Sequence, residues 1–407
     1  MKNINVLIAN QKVGELFFEK ERDQYAFNYT KNTSPISLIM PYRKSSYLWD
    51  HKLHPIFDMN IPEGYLYEIF KNLLSKEYGY IDDFLIFSYL SSNIQGRLCY
   101  ESPIKKHHFG AIDIKDVLEN DNEDTFSKVL NHFLHKNSIS GVQPKTIALL
   151  EDKTLLTSKE YIIKTWGSEY PELALNEYFC LKAVEKAGVK IANILLSKNN
   201  KFLLVERFNY KKSTDEFLGF EEILVLQGKN RDEKYNGSYE SIAKILYAVT
   251  TNKIDCMRSF FKTIVMNYLL KNGDAHLKNF GVLYDKQIAE ISYSPAYDIT
   301  NTCVYLYKDK PALTLFGKKI WPGKKELIKF GMLHCYISSA DCSKYYDQCI
   351  AALKESIHDL RKYLTNNKCF ADIGLKMIAT WELSLQQTPH KELPLEIIQD
   401  WQSDKNT

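Results

Sequence analysis

The feature that most constrains the fold of this chain is a change in hydrophobic period along its length. Residues 2–30 alternate between apolar and polar side chains, with a turn expected at Gly14, and this pattern is typical of strands. From about residue 254 onward the period is mainly helical. The predicted helices there are Ile254–Leu270, Ser343–Leu364 and Ala371–Leu385. The sequence therefore predicts a strand-rich beginning and a helix-rich end.

Changes of composition divide the chain into four predicted stretches. The first combines the strands with two apolar helical patterns and reads as a small α+β subdomain. A polar linker with one short helix follows, and then a sheet with a single long helix that begins after Pro171. The predicted boundaries are 1–105, 106–137, 138–208 and 209–407. The predicted fold class is α+β, with a strand-rich lobe and a helical lobe.

The overall composition excludes several classes of protein. With 407 residues, 45% of them hydrophobic, the chain is long and apolar enough for two or three packed units. A net charge of +3 gives no reason to expect direct binding to DNA. No apolar stretch approaches the ~18 residues of a membrane span, and the start lacks the pattern of a signal peptide. We therefore expect a cytoplasmic protein.

The cysteines are scattered rather than paired. None of the eight stands in a C-x-x-C motif, and Cys335, Cys342 and Cys349 recur every seven residues. This period is typical of one face of a helix. We predict reduced, structural thiols.

The sharpest chemical signal is a short loop between an apolar helix and the strand Phe280–Tyr284. In it, Asp274 and Asn279 are five residues apart. This D-x-x-x-x-N spacing is used for phosphoryl transfer: the carboxylate orients or deprotonates the attacking hydroxyl, and the amide oxygen binds magnesium. His276 lies between them, and we predict that it supports the aspartate rather than acting as a base.

A second metal-binding carboxylate is expected just beyond the strands that follow this loop. Asp298 stands at that position. Magnesium prefers oxygen ligands and keeps several waters, so one aspartate, one asparagine and the nucleotide phosphates make a sufficient site. The sequence therefore predicts a magnesium–ATP centre at Asn279 and Asp298.

Three features earlier in the chain suit nucleotide binding. Lys164 ends an apolar strand, as a lysine that reaches phosphates would, and Glu177 on the next helix is its predicted partner. Residues 138–145 form a small-residue turn whose backbone N–H groups suit phosphates. Residues 205–208 end the last strand of that lobe, where a hinge would offer backbone hydrogen bonds to adenine.

Taken in this order, the pieces resemble the HipA family of serine/threonine kinases, the toxin halves of bacterial toxin–antitoxin modules. The resemblance spans nearly the whole chain and implies a two-lobed protein-kinase-like fold with an extra N-terminal α+β subdomain. The motifs in its catalytic part are Ser138–Lys145, Ile163-Lys164, Asn176-Glu177, Val205–Phe208, Asp274-x-His276-x-Lys278-Asn279 and Tyr297-Asp298. The beginning of the chain is similar to the family's small N-terminal domain in Val13–Leu16, Tyr25-x-Phe27-x-Tyr29, Phe57 and Pro62–Gly64.

The resemblance implies a role for each matched residue. Asp274 would be the catalytic base, assisted by Lys164 and His276, while Asn279 and Asp298 would hold magnesium. Autophosphorylation of a serine in the phosphate loop would silence the kinase; Ser138 matches that serine best and Ser140 second. Contacts with ATP are implied for Ser140, Gly141, Val142, Gln143, Lys145, Lys164, Glu206, Phe208, Lys278, Asn279 and Asp298.

The resemblance also implies partners. These are a helix-turn-helix antitoxin that binds operator DNA, so that DNA is reached only through it, and a protein substrate such as an aminoacyl-tRNA synthetase or another translation factor. No membrane is implied. Two positions depart from the family pattern, since Ala275 replaces the usual glycine and Asn209-Tyr210 replaces the common Asp-Arg. Neither departure removes a group that does chemistry.

The residues leave two other functions open. A small-molecule phosphotransferase of the aminoglycoside kind shares the D-x-x-x-x-N logic on a related fold. A catalytically silent kinase-like protein would instead only partner a DNA-binding repressor. Trp321 lies among Lys318, Lys319, Lys324 and Lys325, and we interpret this basic stretch as a solvated loop rather than as a contact for an acidic partner.

Overall fold

The computed structural model describes residues 3–92, 94, 96–104, 114–122, 125, 154–157, 161–165, 170–394 and 397. The chain forms two compact units. The first contains Met1–Glu169, Glu206–Lys234 and Gly281–Ile291, and the second contains Tyr170–Val205, Tyr235–Phe280 and Ser292–Thr407. The domain boundaries given above stay predictions.

The described part of the chain mixes strands and helices throughout. The strands are β1 (Asn3–Ile8), β2 (Gln11–Glu19), β3 (Gln24–Tyr29), β4 (Tyr47–Asp50), β5 (Leu98–Glu101), β6 (Thr154–Thr157), β7 (Tyr161–Thr165), β8 (Ile194–Leu196), β9 (Leu203–Glu206), β10 (Tyr210–Lys211), β11 (Glu216–Phe217), β12 (Gly219–Glu222), β13 (Gly281–Tyr284) and β14 (Ile291–Tyr293). The α-helices are α1 (Pro55–Asp58), α2 (Gly64–Tyr78), α3 (Asp83–Ser91), α4 (Ile114–Glu119), α5 (Leu173–Lys186), α6 (Ile223–Leu226), α7 (Tyr239–Val249), α8 (Lys253–Leu269), α9 (Lys324–His334), α10 (Ser339–Asn366) and α11 (Ala371–Leu385). Short 3-10 helices occupy Arg231–Glu233, Leu277–Asn279, Thr302–Val304 and Lys368–Phe370.

The first unit begins with the antiparallel sheet that the alternating pattern predicts. Its strand order is β4-β3-β2-β1-β5. The turn expected at Gly14 is wrong, because the chain reverses at Ala9 and Asn10, which both have positive φ angles. Gly14 instead lies inside β2, where a Cβ atom would come within 2.3 Å of the Phe27 ring on β3. The glycine is therefore required by close packing between strands.

Aromatic side chains fill the core beneath this sheet. Phe27, Phe57 and Phe87 are fully buried and belong to one cluster.

Helix α1 begins at His54, whose Nδ1 accepts the backbone N–H of Ile56 at 3.1 Å and so caps the helix. Burial lowers the pKa of His54 to about 3, so the imidazole is neutral.

A buried carboxylate ties distant parts of the first unit together. Glu221 lies on β12, which pairs with β13, and it is fully buried. It accepts hydrogen bonds from the Ser37 hydroxyl at 2.6 Å, the Leu38 N–H at 2.9 Å and the Tyr284 hydroxyl at 2.6 Å. Burial raises the pKa of Glu221, and the three donors act in the opposite direction. These hydrogen bonds offset part of the cost of removing the carboxylate from water.

The second unit is built around the long helix α10. This helix contacts α5, α8, α9 and α11. The aromatic core of the unit includes Phe260, Phe261 and Phe330, all fully buried. Helices predicted from the apolar period are confirmed in α5, α8, α10 and α11, whereas the sequence analysis did not predict α7 or α9.

Lys262 is a buried cation within this unit. Its Nζ donates to the carbonyl of Ala187 at 2.8 Å, where α5 ends. A cation at this end of a helix interacts favourably with the unsatisfied carbonyls and the helix dipole. Burial lowers the pKa of Lys262. The hydrogen bond to Ala187 offsets part of the cost of removing the ammonium group from water.

The three cysteines spaced by seven residues do not lie on one helix. Cys335 follows the end of α9, and a new helix, α10, starts after Ser338 with Cys342 and Cys349 on it. All three thiols are buried. The period was therefore a sign of burial rather than of a single helical face.

In the part of the chain that is described, no helix is both long and apolar enough to cross a bilayer.

Candidate active site

The predicted phosphoryl-transfer loop, residues 271–279 and called the catalytic loop below, starts where α8 ends. Lys271 has a φ of 60°, and this left-handed residue turns the chain out of the helix. Next, Asn272 is almost fully buried and shapes the loop with its side chain. Its Nδ2 donates to Asn267 Oδ1 at 2.7 Å, and its Oδ1 accepts the N–H of Asp274 at 3.1 Å. Asp274 is thus presented by a loop with its own internal hydrogen bonds.

The carboxylate of Asp274 is half exposed, with 49% of its side chain accessible. Its Oδ1 accepts a hydrogen bond from the Tyr235 hydroxyl at 2.8 Å. His276 Nε2 is 4.0 Å from the same oxygen, too far for a hydrogen bond. The His276 ring is nearly buried and meets the Tyr235 ring edge-on, with 5.2 Å between the centroids. Tyr235 was not predicted from the sequence.

Asn279 and Asp298 meet in the structure, as a shared magnesium site requires. Asn279 Nδ2 donates to Asp298 Oδ2 at 2.8 Å, and Asn279 Oδ1 accepts the N–H of His276 at 2.9 Å. Asp298 has a φ of 60°, a conformation that aspartate adopts more readily than most residues. Two side chains with oxygen ligands therefore converge on one place.

These residues fit a magnesium ion by the chemistry of their donors. Magnesium takes few protein oxygens and completes its shell with water and phosphate oxygens. Among the described residues there is no cluster of three or more His, Cys, Asp or Glu side chains that would form an all-protein metal site. To bind one ion jointly with Asp298, Asn279 would have to present its amide oxygen where its nitrogen now lies, because an amide nitrogen is a donor only.

Two residues that the sequence analysis missed, Thr302 and Asp309, contact the catalytic loop at Gly273. The Thr302 hydroxyl accepts the N–H of Gly273 at 2.8 Å, and the Thr302 N–H donates to the carbonyl of Lys271 at 3.1 Å. The Asp309 carboxylate lies against Gly273, where a Cβ atom would be 2.0 Å from its Oδ2. Burial, with a smaller contribution from Asp274, raises the pKa of Asp309. No sequence motif marks either residue.

The interpretation of the basic stretch around Trp321 as a solvated loop is wrong at its centre. Trp321 is 1% exposed, and its indole N–H donates to the carbonyl of Asp309 at 3.3 Å. The ring face also lies 4.9 Å from the Nζ of Lys271. Burial lowers the pKa of Lys271 to about 7, although the ring favours the charged form. Trp321 is therefore part of the packing beneath the catalytic loop.

The remaining predicted residues lie in other parts of the chain. In the first unit, Lys164 is buried on β7, Glu206 forms an ion pair with Lys212 at 3.1 Å, and the Phe208 ring packs on Phe220. In the second unit, the Lys278 carbonyl accepts the Tyr297 hydroxyl at 2.6 Å, and Glu177 is buried on α5. The predicted pairing of Lys164 with Glu177 stays a prediction. Ser138, Ser140, Gly141, Val142, Gln143 and Lys145 lie outside the described residues.

An aspartate, an asparagine five residues later and a second aspartate in contact with that asparagine form the set of groups that phosphoryl transfer uses. Models of two protein families match the chain: the HipA N-terminal domain at residues 4–101 and the HipA-like C-terminal domain at residues 137–357. The chain belongs to the HipA family.

The chain is also similar to individual known proteins. A solved structure of HipA from Shewanella oneidensis MR-1, in a complex with HipB and operator DNA, covers 94% of this chain and 97% of its own, with a TM-score of 0.66 and 15% identity. The similarity confirms the predicted α+β fold. A Haemophilus influenzae protein named "Putative kinase" is 32% identical over 184 residues, 41% of this chain and 53% of its own. The Sinorhizobium fredii protein "Putative kinase Y4dM" is 25% identical over 205 residues, 44% of this chain and 49% of its own. The chain thus spans about half the length of these curated relatives.

Proposed function

We propose that this protein is an ATP- and magnesium-dependent serine/threonine protein kinase that acts in the cytoplasm. The observation that carries the proposal is the contact of Asn279 with Asp298, since Asn279 lies in the same loop as Asp274, whose carboxylate remains half exposed. This is the set of groups that phosphoryl transfer needs: a carboxylate for the acceptor hydroxyl and oxygen ligands for the ion that neutralises the phosphates.

In the proposed reaction, each residue has a distinct task. Asp274 would orient the acceptor hydroxyl and take its proton, and Asn279 and Asp298 would hold a magnesium ion, which would neutralise charge on the phosphates. Lys164 and Lys278 would contact the nucleotide, and the backbones of Glu206 and Phe208 would flank its adenine. The small-residue segment from Ser140 to Lys145 would contact the phosphates.

We further propose that the kinase is the toxin of a toxin–antitoxin pair, with a helix-turn-helix antitoxin as partner. The Shewanella oneidensis structure contains HipA with HipB and operator DNA, and this chain matches the HipA N-terminal domain over residues 4–101. Contact with DNA would then occur through the antitoxin. The substrate class is a protein of translation, and autophosphorylation of Ser138, or failing that Ser140, would switch the enzyme off.

Two rival functions make different predictions. A small-molecule phosphotransferase would modify an aminoglycoside-type acceptor and leave proteins unmodified. A silent partner of a repressor would bind ATP without transferring phosphate. The match to the HipA N-terminal domain favours a protein kinase over the first rival, and the intact Asp274, Asn279 and Asp298 set favours it over the second.

The testing experiment is intact-mass measurement with phosphosite mapping after incubation with ATP and magnesium. It compares phosphatase-treated wild type with Asp274→Asn and with the control Asp347→Asn, which removes only an exposed carboxylate paired with Lys324. We expect one added phosphate, on Ser138 or Ser140, in wild type and in the control but not in Asp274→Asn. ATP binding without phosphate on the protein or on any candidate protein substrate would contradict the proposal.

A further inference from the structure

A second segment of the second unit runs beside the catalytic loop. At its start, the Tyr235 hydroxyl donates to Asp274 Oδ1 at 2.8 Å. At its end, the Tyr239 hydroxyl donates to the carbonyl of Ala275 at 3.0 Å. Between them, Gly237 faces Leu277, and an added Cβ atom would lie 3.0 Å from that side chain. Three residues of the segment 235–239 thus contact the loop, at Asp274, Ala275 and Leu277.

The two oxygens of the Asp274 carboxylate have different surroundings. Oδ1 receives the Tyr235 hydroxyl, whereas Oδ2 has no hydrogen-bond donor among the residues that the structure describes. An aspartate side chain that is half exposed turns easily about its terminal torsion, which has a broad energy well. The bond to Tyr235 is therefore the contact that sets which oxygen is presented outward.

We propose that Tyr235 is a positioning residue, which holds Asp274 Oδ1 so that Oδ2 receives the acceptor hydroxyl; the inference rests on the kinase function proposed above. The acceptor oxygen forms a bond to the γ-phosphorus and gives its proton to Oδ2. The bond from the γ-phosphorus to the β–γ bridging oxygen breaks, and its electron pair leaves with ADP. Tyr235 keeps its own proton throughout.

The surroundings of Tyr235 make this role testable by a single-atom change. Tyr235 is 47% exposed, so Tyr235→Phe leaves the core of the unit intact and keeps the ring beside His276. Tyr235 contacts the loop at Asp274 and His276, so nucleotide and magnesium binding at Asn279 and Asp298 have no direct reason to change. Loss of the hydroxyl should affect the chemical step and leave binding unchanged.

The experiment measures the initial rate of autophosphorylation, by intact mass, at a series of ATP concentrations with saturating magnesium. The proteins are phosphatase-treated wild type, Tyr235→Phe and Tyr247→Phe. Tyr247→Phe is the matched control, because its partly exposed ring packs against Tyr336 rather than against the loop. We expect Tyr235→Phe to lower the maximal rate about tenfold to a hundredfold, with an unchanged half-saturating ATP concentration and melting temperature. Tyr247→Phe should behave as wild type.

The possible failures are distinguishable. Equal maximal rates in Tyr235→Phe and Tyr247→Phe would overturn the positioning role while leaving the kinase function standing. A faster rate in Tyr235→Phe would also overturn it, because the hydroxyl would then be competing with the acceptor for Asp274. A wild type that transfers no phosphate to itself or to a protein would overturn the kinase function and this inference with it.

Discussion

Asn279 directs its amide nitrogen, not its amide oxygen, toward Asp298, with 2.8 Å between Nδ2 and Oδ2. The amide oxygen is engaged by the N–H of His276. Binding of a shared cation therefore requires the amide to turn and to release His276. Through Asn279, binding of the ion would change the hydrogen bonding of the catalytic loop at His276.

Removal of the Asn279 side chain should weaken binding of magnesium–ATP. Of the two proposed protein ligands, Asn279→Ala leaves only Asp298. We expect the dissociation constant of magnesium–ATP to rise at least about tenfold, because loss of a metal ligand or of a group that supports one has effects of that size. Titration calorimetry with ATP, in magnesium and in EDTA, measures the change. Asn366→Ala, which removes an exposed asparagine, is the control. Equal affinities for the two variants would argue against Asn279 as a ligand.

A side chain at position 273 should displace the catalytic loop. In Gly273→Ala the new methyl group would lie 2.0 Å from Asp309 Oδ2 and 2.8 Å from the Thr302 hydroxyl. We expect phosphoryl transfer to fall by about a hundredfold, because small misplacements of catalytic groups have effects of that size. The rate of autophosphorylation is the measurement. Gly96→Ala, where the nearest atom to the new methyl is 3.8 Å away, should retain full activity.

Lys262 should contribute to the stability of the second unit. Lys262→Met keeps the length of the side chain but removes the hydrogen bond to Ala187 and the cation at the end of α5. We expect the free energy of unfolding to fall by about 1–3 kcal/mol. Denaturant titration measures it, with Lys354→Met on the exposed face of α10 as control. The idea fails if both variants are equally stable, since the methionine at position 262 would then compensate fully.

His54 should make the stability of the first unit depend on pH below neutrality. Its pKa in the folded protein is about 3, below the ordinary value of 6.5, so the unfolded chain binds the proton more readily. The stabilisation is complete above about pH 6.5 and is lost progressively as the pH falls toward 3, by at most about 1.4 kcal/mol per pH unit. His54→Asn keeps an acceptor for the Ile56 N–H but does not titrate.

The measurement for this prediction is the difference in unfolding free energy between wild type and His54→Asn from pH 7.5 to pH 4.5. Subtracting the variant removes the contribution of carboxylates common to both proteins. The unfolding free energy of wild type minus that of His54→Asn should decrease as the pH falls. His51→Gln should show no such shift, because His51 is exposed and Asp23 raises its pKa. A flat difference for His54→Asn would mean that the protonated imidazole is accommodated.

The parts of the site that the sequence could predict are those fixed by local spacing. Asp274 and Asn279 belong to one loop, so the number of residues between them already limits how far apart they can lie. Thr302, Asp309 and Tyr235 reach that loop only after the chain has folded, and no period or motif marks them. Their recognition needed the three-dimensional contacts.

Composition misled in one place, at Trp321. Four lysines near it in sequence suggested a solvated surface, yet the indole is buried and faces Lys271, which is fifty positions earlier in the chain. Long lysine side chains can stand at a surface while the residue between them points inward. The strand pattern at the start and the apolar periods of α8, α10 and α11 were reliable because their apolar side chains are buried in the cores of the two units.

The carboxylate of Glu221 sets an order of events during synthesis of the protein. Ser37, which donates to it, leaves the ribosome 184 residues before its acceptor does. At roughly 5–20 residues per second, the gap lasts about ten to forty seconds. During that interval the Ser37 hydroxyl and the Leu38 N–H cannot donate to Glu221. The first unit can therefore complete its hydrogen bonding only late in translation.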